Sequence, residues 1–262
     1  MSIVHSITVA GHQLMAWSFG IAVTTVFLDI GPGFARDHPP FERRIAGALA
    51  GPLAGLSFCL LLVDNPVLTS LLIAAPFALM SSLYSLAWFR RWPANRRRTF
   101  GWQTGVVGGV ALIVLMLTAG PQYWDGGVVM GVYAASAGLL GGFTCLTVKA
   151  LYGHRATDVE DSSSPYGIPA RTVAVGLGIG GLAALDMLTW AISGHAGWLP
   201  ILGVWLVLSL VVPGVLMALG HKLYPRLQLW VWLAALISAT GGQATIHTIT
   251  LFLPGLIPPA AI

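Results

Sequence analysis

Arg90-Arg91-Trp92-Pro93-Ala94-Asn95-Arg96-Arg97-Arg98 places five cations in nine residues, between two long apolar runs that contain no Lys or Arg. Working outward from it, eight apolar runs can be drawn, roughly 10–30, 46–63, 66–89, 101–120, 126–150, 168–193, 198–221 and 227–253. The other basic residues keep to alternate gaps between these runs. Arg36, Arg43 and Arg44 fall in the first gap, Lys149, Arg155 and Arg171 in or beside the fifth, and Lys222 and Arg226 in the seventh, which completes the 13. The gaps at 64–65, 121–125 and 194–197 have none, nor do the ends of the chain. Cytoplasmic loops of membrane proteins retain Lys and Arg, so the alternation predicts eight spans, with both termini and the uncharged loops outside.

Composition agrees. Charged residues make up 8% of the chain and hydrophobic ones 56%, with a mean hydropathy of +0.81. A soluble domain of this length needs more charge to cover its surface. Each run supplies the ~20 apolar residues that cross a ~30 Å hydrocarbon core. Backbone groups in lipid must bond internally, and no barrel-like alternation is present, so the fold class is all-α and polytopic, one transmembrane domain over 1–262. The formal net charge of +4 is the retained loop charge and forms no basic stripe, which argues against nucleic acid as a partner.

The first run lacks the positive flank and cleavage site of a signal peptide. Cys59 and Cys145 lie within runs without CxxC spacing and read as small hydrophobes, so this chain is expected to bind no haem and no metal. The segment from His154 to Tyr166 reads as a cytoplasmic loop, and 90–98 as a charged loop that anchors topology beside anionic headgroups. Small-residue rows at Gly47, Gly51 and Gly55, and at Gly176, Gly178, Gly180 and Gly181, predict close helix packing. Pro52, Pro76 and Pro213 are expected to kink the second, third and seventh spans.

Polar groups inside spans are costly and mark candidate sites. His12 lies in the outer part of the first span, and Asp186 in the outer third of the sixth. Gln243 and His247 share one face of the eighth, four residues apart. Asp29 ends the first span on the inner side. His195, Asp64 and Asp125 read as solvated turn residues, and His221 as interfacial. A quinone headgroup asks for hydrogen-bond partners at its carbonyls and a titratable group to move protons. The pattern allows quinone binding at His12, Gln243 and His247 and proton relay at Asp186 and Asp29, beside the plainer reading in which His12 bonds a neighbouring helix. Haem ligation would need matched histidine pairs at both faces, and only His12 and His247 share a depth.

Three stretches carry a family likeness. They are the turn Leu117-Thr118-Ala119-Gly120-Pro121-Gln122-Tyr123-Trp124-Asp125 with Val132-Tyr133-Ala134-Ala135-Ser136-Ala137-Gly138 after it, Gly203-Val204-Trp205 through Val211-Val212-Pro213-Gly214, and Gly241-Gly242-Gln243. They resemble the NrfD/polysulfide reductase and DMSO reductase membrane-anchor subunits. The chain departs from that pattern at Met116 and Leu117, where the family often has a Tyr, and lacks its early interior acid unless Asp29 or Asp64 substitutes. The resemblance implies a haem-free anchor in the bacterial cytoplasmic (inner) membrane with periplasmic termini. Such an anchor binds menaquinone or ubiquinone, its partner being a ferredoxin-like iron–sulfur subunit of a molybdopterin enzyme. The alternatives are a small-solute or ion transporter, for which interrupted helices would speak, and a non-redox assembly or docking subunit.

Overall fold

The computed structural model describes residues 3–30, 41–64, 70–119, 126–152, 167–220 and 225–256, and no strand occurs among them. The helices are α1 (Ile3–Ile30), α2 (Phe41–Ala48), α3 (Ala50–Asp64), α4 (Ala75–Phe89), α5 (Ala94–Ala119), α6 (Gly126–Tyr152), α7 (Gly167–Ile192), α8 (Leu199–Leu206), α9 (Val212–Gly220) and α10 (Pro225–Leu256). α2 runs into α3, and α8 into α9, so the ten helices make eight rods. Seven rods contain stretches long and apolar enough to cross a membrane: 43–63, 72–89, 94–115, 127–152, 167–192, 199–220 and 227–251. α1 is not among those seven. The chain is thus all-helical over its described residues and has the make-up of a multi-pass membrane protein.

Most rod ends fall within a few residues of the apolar runs, and two depart. α1 begins at Ile3 rather than near residue 10. α5 begins at Ala94 rather than 101, so Arg96, Arg97 and Arg98 belong to a helix and not to a loop. The turn proper is Arg90–Pro93. Arg91 takes the left-handed conformation (φ 54°), and Trp92 N–H returns to Ala87 O at 2.9 Å. This is the usual way of closing a helix, with Arg where glycine is normally found.

Each expected proline site coincides with an irregular turn. Proline removes one backbone donor and crowds the carbonyl four residues earlier. For Pro52 that carbonyl belongs to Ala48, where α2 gives way to α3. For Pro76 it lies in the π-turn Ser70–Ala74, and for Pro213 in the π-turn Val207–Val211. Next to the first break a hydroxyl enters the ladder: Gly51 N–H donates to Ser85 Oγ at 2.6 Å, and Ser85 donates to Gly47 O at 3.3 Å.

α6 is the best-covered rod, with 78% of its apolar window buried against 22–39% in the other six. α1 packs beside it and also meets α3, α5 and α10. Glycine makes the α1–α6 contact possible. A Cβ on Gly20 would lie 1.9 Å from Ala137 O, and one on Gly141 would lie 2.2 Å from the Gly20 carbonyl carbon. The glycine rows therefore divide. Gly47, Gly51, Gly176 and Gly180 pack tightly, whereas Gly55, Gly178 and Gly181 face open space.

Candidate functional site

Where α1, α6 and α10 meet, five polar side chains share the interior of an apolar bundle. α10 presents Gln243 and His247 on one stripe, four residues apart. α6 presents Tyr133 and Ser136, three apart, and α1 presents His12. All five are at most 2% exposed. Tyr133 hydroxyl and His12 Nδ1 are hydrogen-bonded. The Tyr133 ring also meets the His247 ring edge to face, with centroids 4.6 Å apart. Ser136 Oγ donates to Gln243 Oε1 at 2.6 Å and lies 3.0 Å from His247 Nε2.

Proton counting decides what this network offers. A serine hydroxyl has one hydrogen. Val132 O also lies within its reach at 2.8 Å, but when the hydrogen goes to Gln243 Oε1, the nearer acceptor at 2.6 Å, His247 must donate from Nε2, which leaves Nδ1 as a bare acceptor. Gln243 Nε2 and His247 Nδ1 indeed have no hydrogen-bond partner, although both are buried. Reversing the Gln243 amide exchanges the roles and still leaves one donor and one acceptor. Buried polar atoms without partners cost about 1–3 kcal/mol each. A ligand that both accepts and donates would relieve that cost.

The three residues assigned to quinone binding, His12, Gln243 and His247, therefore come together. The two assigned to proton relay do not join them. Asp29 lies at the opposite, basic end of α1 and is 1% exposed. Arg97 grips it twice, Nε to Oδ2 and Nη2 to Oδ1, both at 3.1 Å. Arg97 also donates from Nη1 to Trp92 O at 2.7 Å and lies 4.8 Å over the Trp88 ring, while Arg98 Nε donates to Asp29 O at 2.9 Å. Asp186 is exposed on the outer flank of α7, on the side of Leu182 and Leu185 and away from buried Ala183 and Met187.

His195 stacks on Trp190 at 4.0 Å, apart from the cluster. The Asp64 side chain, Asp125, His221 and the 154–166 segment lie outside the described residues. No group of three His, Cys, Asp or Glu residues that could hold a metal ion occurs among the described residues. Tyr133 and Ser136 were not singled out as site residues by the sequence reading. Their signal was present, two polar side chains one turn apart in an otherwise apolar, small-residue helix. The π-turn before α9 adds Ser209, whose buried hydroxyl is unpartnered where α10 comes close at Gly242. Compared with known proteins, the chain matches no family model, no curated protein and no solved structure.

Proposed function

We propose that this protein is a haem-free, quinone-reactive membrane subunit with eight crossings and both termini on the outer face. It would exchange electrons between the quinone pool and an iron–sulfur partner of a molybdenum enzyme. The observation that carries this reading is the convergence of His12, Tyr133, Ser136, Gln243 and His247, with one donor and one acceptor left over. A quinone supplies two-electron, two-proton chemistry when bound, and its oxygens alternate between carbonyl and hydroxyl.

The chain's part in that chemistry follows from its free atoms. Gln243 Nε2 donates to a carbonyl oxygen and so orients the ring. His247 Nδ1 takes a hydroxyl proton, steadied through Nε2 by Ser136. His12 and Tyr133 are hydrogen-bonded to each other beside this pair, and the Tyr133 ring meets His247 edge to face. The leftover donor suits a quinone carbonyl and the leftover acceptor a quinol hydroxyl, so the quinol form satisfies both atoms and the quinone form the first.

The transport alternative gains less. Its signature is half-helices with free ends at mid-membrane. The interruptions between 70 and 74 and between 207 and 211 are π-turns that keep the chain helical.

The test is quenching of tryptophan fluorescence by a short-chain quinone in the detergent-purified protein. Gln243→Met and His247→Gln should each weaken binding about tenfold, the value of one buried hydrogen bond. Asp186→Asn should leave it unchanged. Wild-type affinity in both cluster variants would remove quinone from this site. Co-purification of an iron–sulfur protein from native membranes tests the partner separately.

A further inference from the structure

A groove of about 570 Å³ lies on the flank of the bundle between α1, α6 and α7, within the ~300–1,000 Å³ range of small-molecule sites. It opens on a different face of α6 from the polar cluster, lined by Ala134, Ala137 and Gly138 rather than by Tyr133 and Ser136. Small residues, Gly20 among them, make its floor, and Phe27 and Val175 line its sides. Its one charged lining residue is Arg171, which is exposed near the start of α7. No acid among the described residues pairs with Arg171, whereas Arg97 holds Asp29.

This geometry divides the groove by chemistry. Along α1 it spans Phe19 to Phe27, about 12 Å at 1.5 Å per residue, and offers only apolar contact. Arg171 adds a fixed cation at the end of the bundle where the basic turns gather, which is headgroup level. A neutral amphiphile would satisfy the apolar part and bring no anion to the guanidinium.

We propose that the groove holds one anionic phospholipid, an acyl chain against α1 and α6 and the phosphate on Arg171. The site is independent of the quinone reading. It is also more specific than the general attraction of basic loops to acidic membranes, because one cation and one groove must act together.

Native mass spectrometry of the detergent-purified full chain tests it, with phosphatidylglycerol and phosphatidylcholine of identical acyl chains as probes. Wild type should retain one phosphatidylglycerol with about a fivefold preference, the factor one cation contributes at an anionic surface. Arg171→Gln should lose that preference. Ala134→Phe, made at an exposed position, should fill the groove and lose the lipid while Arg171 remains. Equal retention of the two lipids by wild type would overturn the proposal. So would an unchanged preference in Arg171→Gln, or full retention in Ala134→Phe, which would mean that Arg171 attracts lipid without the groove.

Discussion

An arginine with no exposed surface persists in this bundle because its donors and its face are occupied. Arg97 sends two N–H groups to Asp29 and one to the Trp92 carbonyl, and lies over the Trp88 ring. Breaking a buried pair leaves one charge stranded, at about 3–5 kcal/mol, whereas replacing both partners with apolar groups is often neutral. Arg97→Met and Asp29→Leu should therefore each lower the melting temperature sharply in detergent, and the double variant should recover most of the loss. Additive losses in the double variant would show that the pair is not the unit of stability. The sequence reading placed Arg97 in a charged loop, because a charge count sees no partner 68 residues away. His247 and Gln243 were legible for the opposite reason, since their pairing is encoded four residues apart. Tyr133 and Ser136 fell between these cases: the helical spacing was visible, but the hydrogen bonds across to α1 and α10 were not.

Helices here bend and touch at positions chemistry can name in advance. Pro52, Pro76 and Pro213 were readable as kinks because the missing donor and the clash are local, and an irregular turn stands four residues before each. The start of α5 was not readable, because three arginines in succession look like a loop until Asn95 Oδ1 is seen accepting Arg96 N–H at 2.7 Å. Glycine composition predicted close packing without saying which glycines would do it. Gly20→Ala should cost about 1–3 kcal/mol or more, since the new methyl meets backbone that cannot yield. Gly178→Ala, into open space, should be neutral or stabilising. Chemical unfolding of the two variants side by side checks this, and equal effects would deny the α1–α6 contact its role.

At the scale of the whole molecule the basic ends decide orientation. Arg90, Arg91, Lys149 and Arg171 all lie at the end of the bundle opposite His12 and His247, so alkaline phosphatase should be inactive when fused after Arg155 and active when fused after Ile262. The reverse pattern would invert the topology and put the polar cluster on the inner side. The eight apolar runs made the rods plain, α1 included, while the central place of α1 had no sequence signal beyond its scattered polar residues. That placement has a consequence for how the protein is made. α1 carries His12, Gln13, Ser18, Thr24, Thr25 and Asp29, all buried in the finished bundle; α3, the next span, packs on it most extensively, but the partners of His12 and Gln13, Tyr133 and Thr240, belong to α6 and α10. At ~5–20 residues per second, α10 leaves the ribosome roughly 10–40 s after α1. For that interval His12 and Gln13 are polar groups in the first helix without those partners. That helix must be sheltered at the insertion machinery, or lie at the membrane surface, until α6 and then α10 arrive to enclose it. The polar outer half of the first helix is thus completed only by the last one, and a truncation that spares every other span would still leave Gln13 without its Thr240 carbonyl.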